Sequence, residues 1–227
     1  MKRGNSLINI LSEGYRIDAP FLYEECRKHI LPRHRVAVVA FSFRDSAVKS
    51  AEDWEAQYGS PGGKIYKGIV QGLAAYGIPK ENVTFLNYFT DTKQTAARKI
   101  ENADILSFPG GLPDKMMERI LEFDLRDVLL RHKGTVIGYS AGALVQLAEY
   151  HLSPDADYPS FRYAEGLPYL RDFYLEVHHR DTPEQRDSIQ RVICERGKTV
   201  YATALMQGAI LVENGSVRLL GNVKEYN

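Results

Sequence analysis

Between Gly138 and Gly142 the chain reads Gly-Tyr-Ser-Ala-Gly, with Ser140 at the centre and the apolar run Thr135-Val136-Ile137 directly before it. A serine hydroxyl is a weak nucleophile until a neighbouring base takes its proton. A strand turning sharply into a helix can hold that hydroxyl clear of the backbone, provided the flanking residues are small. The N–H groups opening the helix can then stabilise an oxyanion. Upstream, Pro109-Gly110-Gly111 offers a second donor, because a glycine at position 111 lets the backbone approach a substrate closely. Both stretches also suit ordinary tight turns, so the decision falls to the base.

The histidines are His29, His34, His132, His151, His178 and His179. His29 and His34 precede or begin the first core strand, and His132 closes a helix, where a cation suits the dipole. His178 and His179 end the run Phe-Tyr-Leu-Glu-Val-His-His (173–179), which reads as a strand. Thr182, Pro183 and Gln185 follow as N-cap, first helical residue and capping-box partner. A strand exit is also where Ser140 sits, which favours His178 as general base over His179 and His151. Alternation puts Phe173, Leu175, Val177 and His179 on one strand face and Tyr174, Glu176 and His178 on the other. The first set is the more apolar and is expected beneath a helix. For the acid that orients the base, Glu149, Asp155, Asp157, Glu165, Asp172 and Glu176 all lie between Ser140 and His178. Asp155 and Asp157 occupy a polar loop, and spacing does not choose among the six.

The elements that must position these groups alternate in type. Residues 35–43, 82–89, 104–111 and 134–140 read as buried strands. Residues 61–78, 90–103, 114–132 and a stretch from Ala141 read as helices. This rhythm predicts a three-layer α/β/α sandwich with a mostly parallel central sheet. In such sheets ligands sit beyond the carboxyl ends of the strands, where Gly111 and Ser140 both fall. After residue 199 short strands turning at Asn214-Gly215 predict a C-terminal β-hairpin. With no repeat or linker, residues 1–227 read as a single domain.

Net charge is zero and no long run of one sign occurs, which argues against nucleic acid and acidic membrane surfaces. Cys26 and Cys194 make no disulfide framework and lack zinc-site spacing. The opening residues are too polar for a signal peptide, and no segment approaches the roughly 20 apolar residues of a membrane helix. A soluble cytoplasmic protein is expected, with no cofactor or metal, and with a second copy of itself as the one protein partner considered.

With Phe-Pro-Gly-Gly, Gly-Tyr-Ser-Ala-Gly-Ala and Leu-Glu-Val-His-His in view, the chain resembles the dipeptidase E / cyanophycinase family of serine peptidases. The resemblance covers roughly residues 80 to 195. It implies a sandwich similar to class I glutamine amidotransferases and a Ser–His–acid hydrolase of small peptides. Carried over, it makes Ser140 the nucleophile, His178 the base, and Gly111 and Ala141 the oxyanion donors. Asp157, in Asp157-Tyr158-Pro159, resembles the family's Asp-x-Pro acid and is preferred over Asp155. Two departures stand out. His179 occupies a position that is often aromatic, and Pro183 replaces an arginine suited to an acidic substrate side chain. Arg186, with Arg180 nearby, is then expected to meet the substrate. The contrasting expectations are an amide or ester hydrolase of other specificity and a binding protein that keeps the elbow without turnover. An ordinary α/β-hydrolase is disfavoured because no histidine follows position 179, and a glutamine amidotransferase would need cysteine at 140.

Overall fold

The computed structural model describes residues 7–227. Five strands run parallel in the sheet: β1 (Ile8–Ser12), β2 (Val36–Val39), β3 (Val83–Leu86), β4 (Ile105–Phe108) and β5 (Thr135–Tyr139), in the order β1-β5-β4-β2-β3. β2, β4 and β5 are buried along their whole length, and their short apolar sequences reflect helices covering both faces. Alternation along β2 separates the layers. Val36 and Val38 join the cluster under α1 (Pro20–Cys26), α2 (Ala51–Tyr58) and α3 (Lys64–Ala74). Ala37 and Val39 join the opposite cluster, under α4 (Lys93–Glu101), α5 (Pro113–Glu122) and α6 (Arg126–Leu130). The α/β/α sandwich expected from the sequence is therefore present.

Several boundaries differ from the periodicity. The helix expected over 114–132 is two helices, broken where Asp124 turns left-handed at φ 53°. Leu125 N–H reaches back to Ile120 O there and closes the end of α5. The helix following Ser140 is only α7 (Ala141–Leu144). Past it the chain forms a small separate hairpin of β6 (Glu149–Leu152) and β7 (Arg162–Glu165), which periodicity did not signal.

Two strands do most to build the site. Leu-Ile-Asn-Ile-Leu near the amino end yields β1, a sheet strand with parallel β5 on one side and antiparallel β9 (Val200–Glu213) on the other. The hairpin expected at the carboxyl end is β9 with β10 (Ser216–Tyr226), turning at Asn214-Gly215. Ser12, the last residue of β1, pairs with Ala209, so residues 200–204 of β9 extend past the end of β1. There they pair in parallel with β8 (Tyr174–His179). β8 thus runs opposite to β5, and the two carboxyl ends meet. Both strands end at the same place, but from opposite directions.

Candidate active site

Ser140 sits at φ 50°, ψ −112°, a strained region for a residue with a side chain. Its N–H is fixed to Ser12 O at 2.9 Å, which ties the elbow to the end of β1. The glycines around it have a steric cause. A Cβ at position 138 would lie 2.0 Å from Gly142 O, and one at position 142 would lie 1.9 Å from Phe108 O. Both small residues are therefore demanded by crowding, and the serine hydroxyl is left free to project. The choice between an ordinary turn and an elbow turns on what that hydroxyl meets.

It meets His178. Ser140 Oγ lies 2.7 Å from Nε2 of the ring. The other ring nitrogen, Nδ1, lies 2.7 Å from Oε2 of Glu13, a carboxylate only 1% exposed. That approach is a close charge contact and not a well-aligned hydrogen bond. Glu13 Oε1 also accepts the backbone N–H of His178, and Thr203 Oγ donates to the same oxygen at 3.4 Å. Glu13 is the first residue past β1 and thus enters the site from the sheet itself.

The structure does not bring Asp157 to the histidine. Its carboxylate is gripped by Arg44 through both Nε, at 3.0 Å, and Nη2. Asp155 accepts the N–H groups of Asp157 and Tyr158, both at 2.8 Å, and so builds the turn. The Asp-x-Pro segment lines the cleft without touching the base. Arg186 is likewise spent elsewhere, donating to Asp181 O at 2.9 Å and facing its carboxylate. Arg180 lines the cleft instead. His179 is buried against Tyr226, whose hydroxyl is 3.1 Å from its Nε2. His151 is buried on Glu176 at 2.7 Å.

The strand ending at the histidines is covered on both faces. Tyr174 packs under α8 (Pro183–Arg196), whereas Leu175 faces the cluster around α7. Alternation then fails, because the register against β9 slips between Glu176 and His179 and His178 adopts φ 54°. A local bulge re-aims the ring, as bulges beside active sites do.

Gly111 and Ala141 both line a cleft of about 530 Å³ with Ser140 and His178. Among the described residues neither donates its backbone N–H to another group. Position 111 must be glycine, since φ is 142° and a Cβ would come 2.2 Å from Ser42 O. Ser42 Oγ donates to Gly110 O at 2.7 Å and its own carbonyl accepts Leu112 N–H at 2.7 Å, bracing that loop from both sides.

Electrostatics follow from Glu13. Its contact with Nδ1 holds the His178 pKa above the usual 6.5, against the opposing effects of burial and of Arg180. A general base must be neutral to accept a proton, so a raised pKa moves the acid limb of activity upward. kcat/KM should therefore be half-maximal at a pH above 6.5 and fall below it. In Glu13→Gln the limb should move to lower pH, since burial and Arg180 remain while the carboxylate is gone. A limb that stays put in that variant would remove His178–Glu13 from the account.

No curated protein matches the sequence. Among solved structures, one assigned as a peptidase E protein from Listeria monocytogenes EGD-e superposes with TM-score 0.66 at 15% identity, covering 95% of this chain and 98% of that one. A peptidase from an acI-B1 Actinobacterium gives TM-score 0.65 at 14% identity, covering 99% and 96%. At such identities the likeness speaks for the fold. The sequence model of peptidase family S51 matches residues 65–220, well over half of the chain. With a strained serine on a histidine and that match across the elbow, the chain belongs to peptidase family S51 and is a serine peptidase.

Proposed function

We propose that the protein hydrolyses small peptides, dipeptides first, through an acyl-enzyme formed on Ser140, with His178 as base and Glu13 as the orienting acid. The observation that carries this is the continuous chain Ser140 Oγ, His178 Nε2, His178 Nδ1, Glu13 Oε2, with 2.7 Å at each of its two contacts. His178 takes the Ser140 proton as Oγ attacks the scissile carbonyl. Glu13 stabilises the imidazolium that results. The carbonyl oxygen gains negative charge between the N–H groups of Gly111 and Ala141. Collapse breaks the C–N bond, and His178 returns the proton to the departing amine. Water, deprotonated by the same ring, then attacks the ester; the C–O bond breaks, the carboxylic acid product leaves, and His178 returns that proton to Ser140 Oγ. Labelling by a fluorophosphonate probe tests the activated serine, and dipeptide hydrolysis tests the reaction.

The acid assignment has its own test. Glu13→Gln should lower kcat by on the order of 10³–10⁴, the scale seen when a triad carboxylate is made an amide. Asp157→Asn should stay near wild type, because its partner Arg44 is half exposed and the pair lies outside the chain of contacts. The reverse pattern in kcat would restore Asp157.

The cleft also bears on side-chain preference. Pro183 opens α8 without an N–H to donate, and Arg186 is committed to Asp181. Arg180 is exposed, and an exposed ion pair contributes at most about 1 kcal/mol, roughly fivefold. Asp-Xaa dipeptides should therefore exceed Ala-Xaa and Leu-Xaa by less than about tenfold in kcat/KM. An advantage of order 10³ would show a dedicated acidic subsite.

A further inference from the structure

His178 is held in a conformation that its own backbone does not favour. Its φ is 54°, and a residue with a side chain stays there only where its surroundings over-determine it. Glu13 secures the amino side of the residue, through the His178 N–H, and the ring. The carbonyl side and the next turn are secured by another group. Gln185 Oε1 accepts the N–H of Arg180 at 2.8 Å, while its Nε2 donates to His178 O at 3.2 Å and to Glu176 Oε1 at 2.9 Å. One amide thus bridges three points of the segment 176–180.

The sequence casts Gln185 as a capping-box partner, whose side chain would return to the N-cap backbone. The structure shows half of that motif. Thr182 Oγ accepts the Gln185 backbone N–H at 3.4 Å, but the Gln185 side chain goes to Arg180 N–H. Its orientation is dictated by Glu176, since a carboxylate can only accept. Glu176 is 4% exposed and its second oxygen is already taken by His151 Nε2 at 2.7 Å and Ser153 Oγ at 2.6 Å. The amide NH₂ must therefore face Glu176 and the His178 carbonyl, leaving its oxygen for Arg180.

We propose that Gln185 is a positioning residue for the base: with Glu176 behind it, it locks the bulge that aims His178 at Ser140. This rests on Ser140 and His178 acting as nucleophile and base. Gln185 acts through His178 and is not itself a reacting group. The N-cap bond uses its main chain, so side-chain substitutions leave the start of α8 intact.

Two variants test the lock. Gln185→Leu removes all three side-chain bonds. Gln185→Glu keeps the shape but sets a carboxylate oxygen against the Glu176 carboxylate and the His178 carbonyl. Each should lower kcat by roughly 10²-fold, the scale of a misaimed catalytic group, with KM changed by less than about twofold. In Gln185→Leu the His178 titration followed by NMR should move down toward 6.5, as the ring drifts from Glu13. Adding Glu176→Gln to Gln185→Glu restores a donor opposite the new carboxylate and should recover part of kcat. The proposal is overturned if Gln185→Leu keeps wild-type kcat, or if it lowers Tm while the His178 titration stays unmoved. A rise in KM at constant kcat would also overturn it, by making Gln185 a substrate contact. The NMR titration needs no turnover, so it reads the lock separately. A wild-type protein that a fluorophosphonate does not label at Ser140 would sink the peptidase chemistry instead.

Discussion

Ser140→Ala is expected to abolish turnover and fluorophosphonate labelling while the folded protein persists. The hydroxyl is the atom 2.7 Å from His178 Nε2, and nothing else at the elbow can form an acyl bond. Removing the nucleophile of a serine peptidase triad costs about 10⁶ in kcat. What survives should be the modest acceleration from binding and the oxyanion donors. The fold should tolerate the change, because the strain resides in the backbone at φ 50°, which alanine inherits, and the Ser140 N–H still bonds Ser12 O. Intact near-ultraviolet circular dichroism with no labelling is the expected pair of results. A folded alanine variant with wild-type hydrolysis would end the acyl-enzyme mechanism.

His178→Ala should be as damaging, on the order of 10⁶, because nucleophile and base act as one unit. For the same reason Ser140→Ala combined with His178→Ala should be no worse than either alone. His179→Phe should keep most activity. The His179 side chain is 4% exposed, packs edge-on against Tyr226, and shares a 3.1 Å contact with its hydroxyl. Losing that bond costs about 1 kcal/mol of stability and leaves the nucleophile untouched. An active His178→Ala beside a dead His179→Phe would exchange the two roles.

What was legible in the sequence was local. The pattern Gly-Tyr-Ser-Ala-Gly betrays the elbow because the crowding at positions 138 and 142 is made by neighbours close in the chain and by the adjacent strand. β2, β4 and β5 show themselves as short apolar runs because each is buried along its whole length, and their shortness and β-branched residues mark them as strands. The strand at the amino end, in contrast, reads as little more than a few apolar residues. Its identity comes from lying between β5 and β9, more than a hundred residues away along the chain.

Only the tertiary structure brings a carboxylate to the histidine, and it is Glu13. Glu13 lies 165 residues from His178, and no spacing rule joins them. A search between serine and histidine could not include it, while Asp157 carried a suggestive Asp-x-Pro context. The outcome turned on partners: the Arg44 guanidinium claims Asp157, and the end of β1 delivers Glu13, with its carboxylate buried, to the ring. The aim of His178 was equally beyond reach. Alternation along a strand presumes a regular pleat, and here the slip between Glu176 and His179, with a left-handed residue inside it, breaks the pleat where the His178 ring turns to Ser140. The sequence by itself determined that a serine flanked by small residues would stand at a strand–helix junction, since the glycines at 138 and 142 mark the crowding there. Which carboxylate faces the histidine, and which way the histidine faces, depended on strands meeting from opposite directions, and that is decided only when the whole sheet has formed.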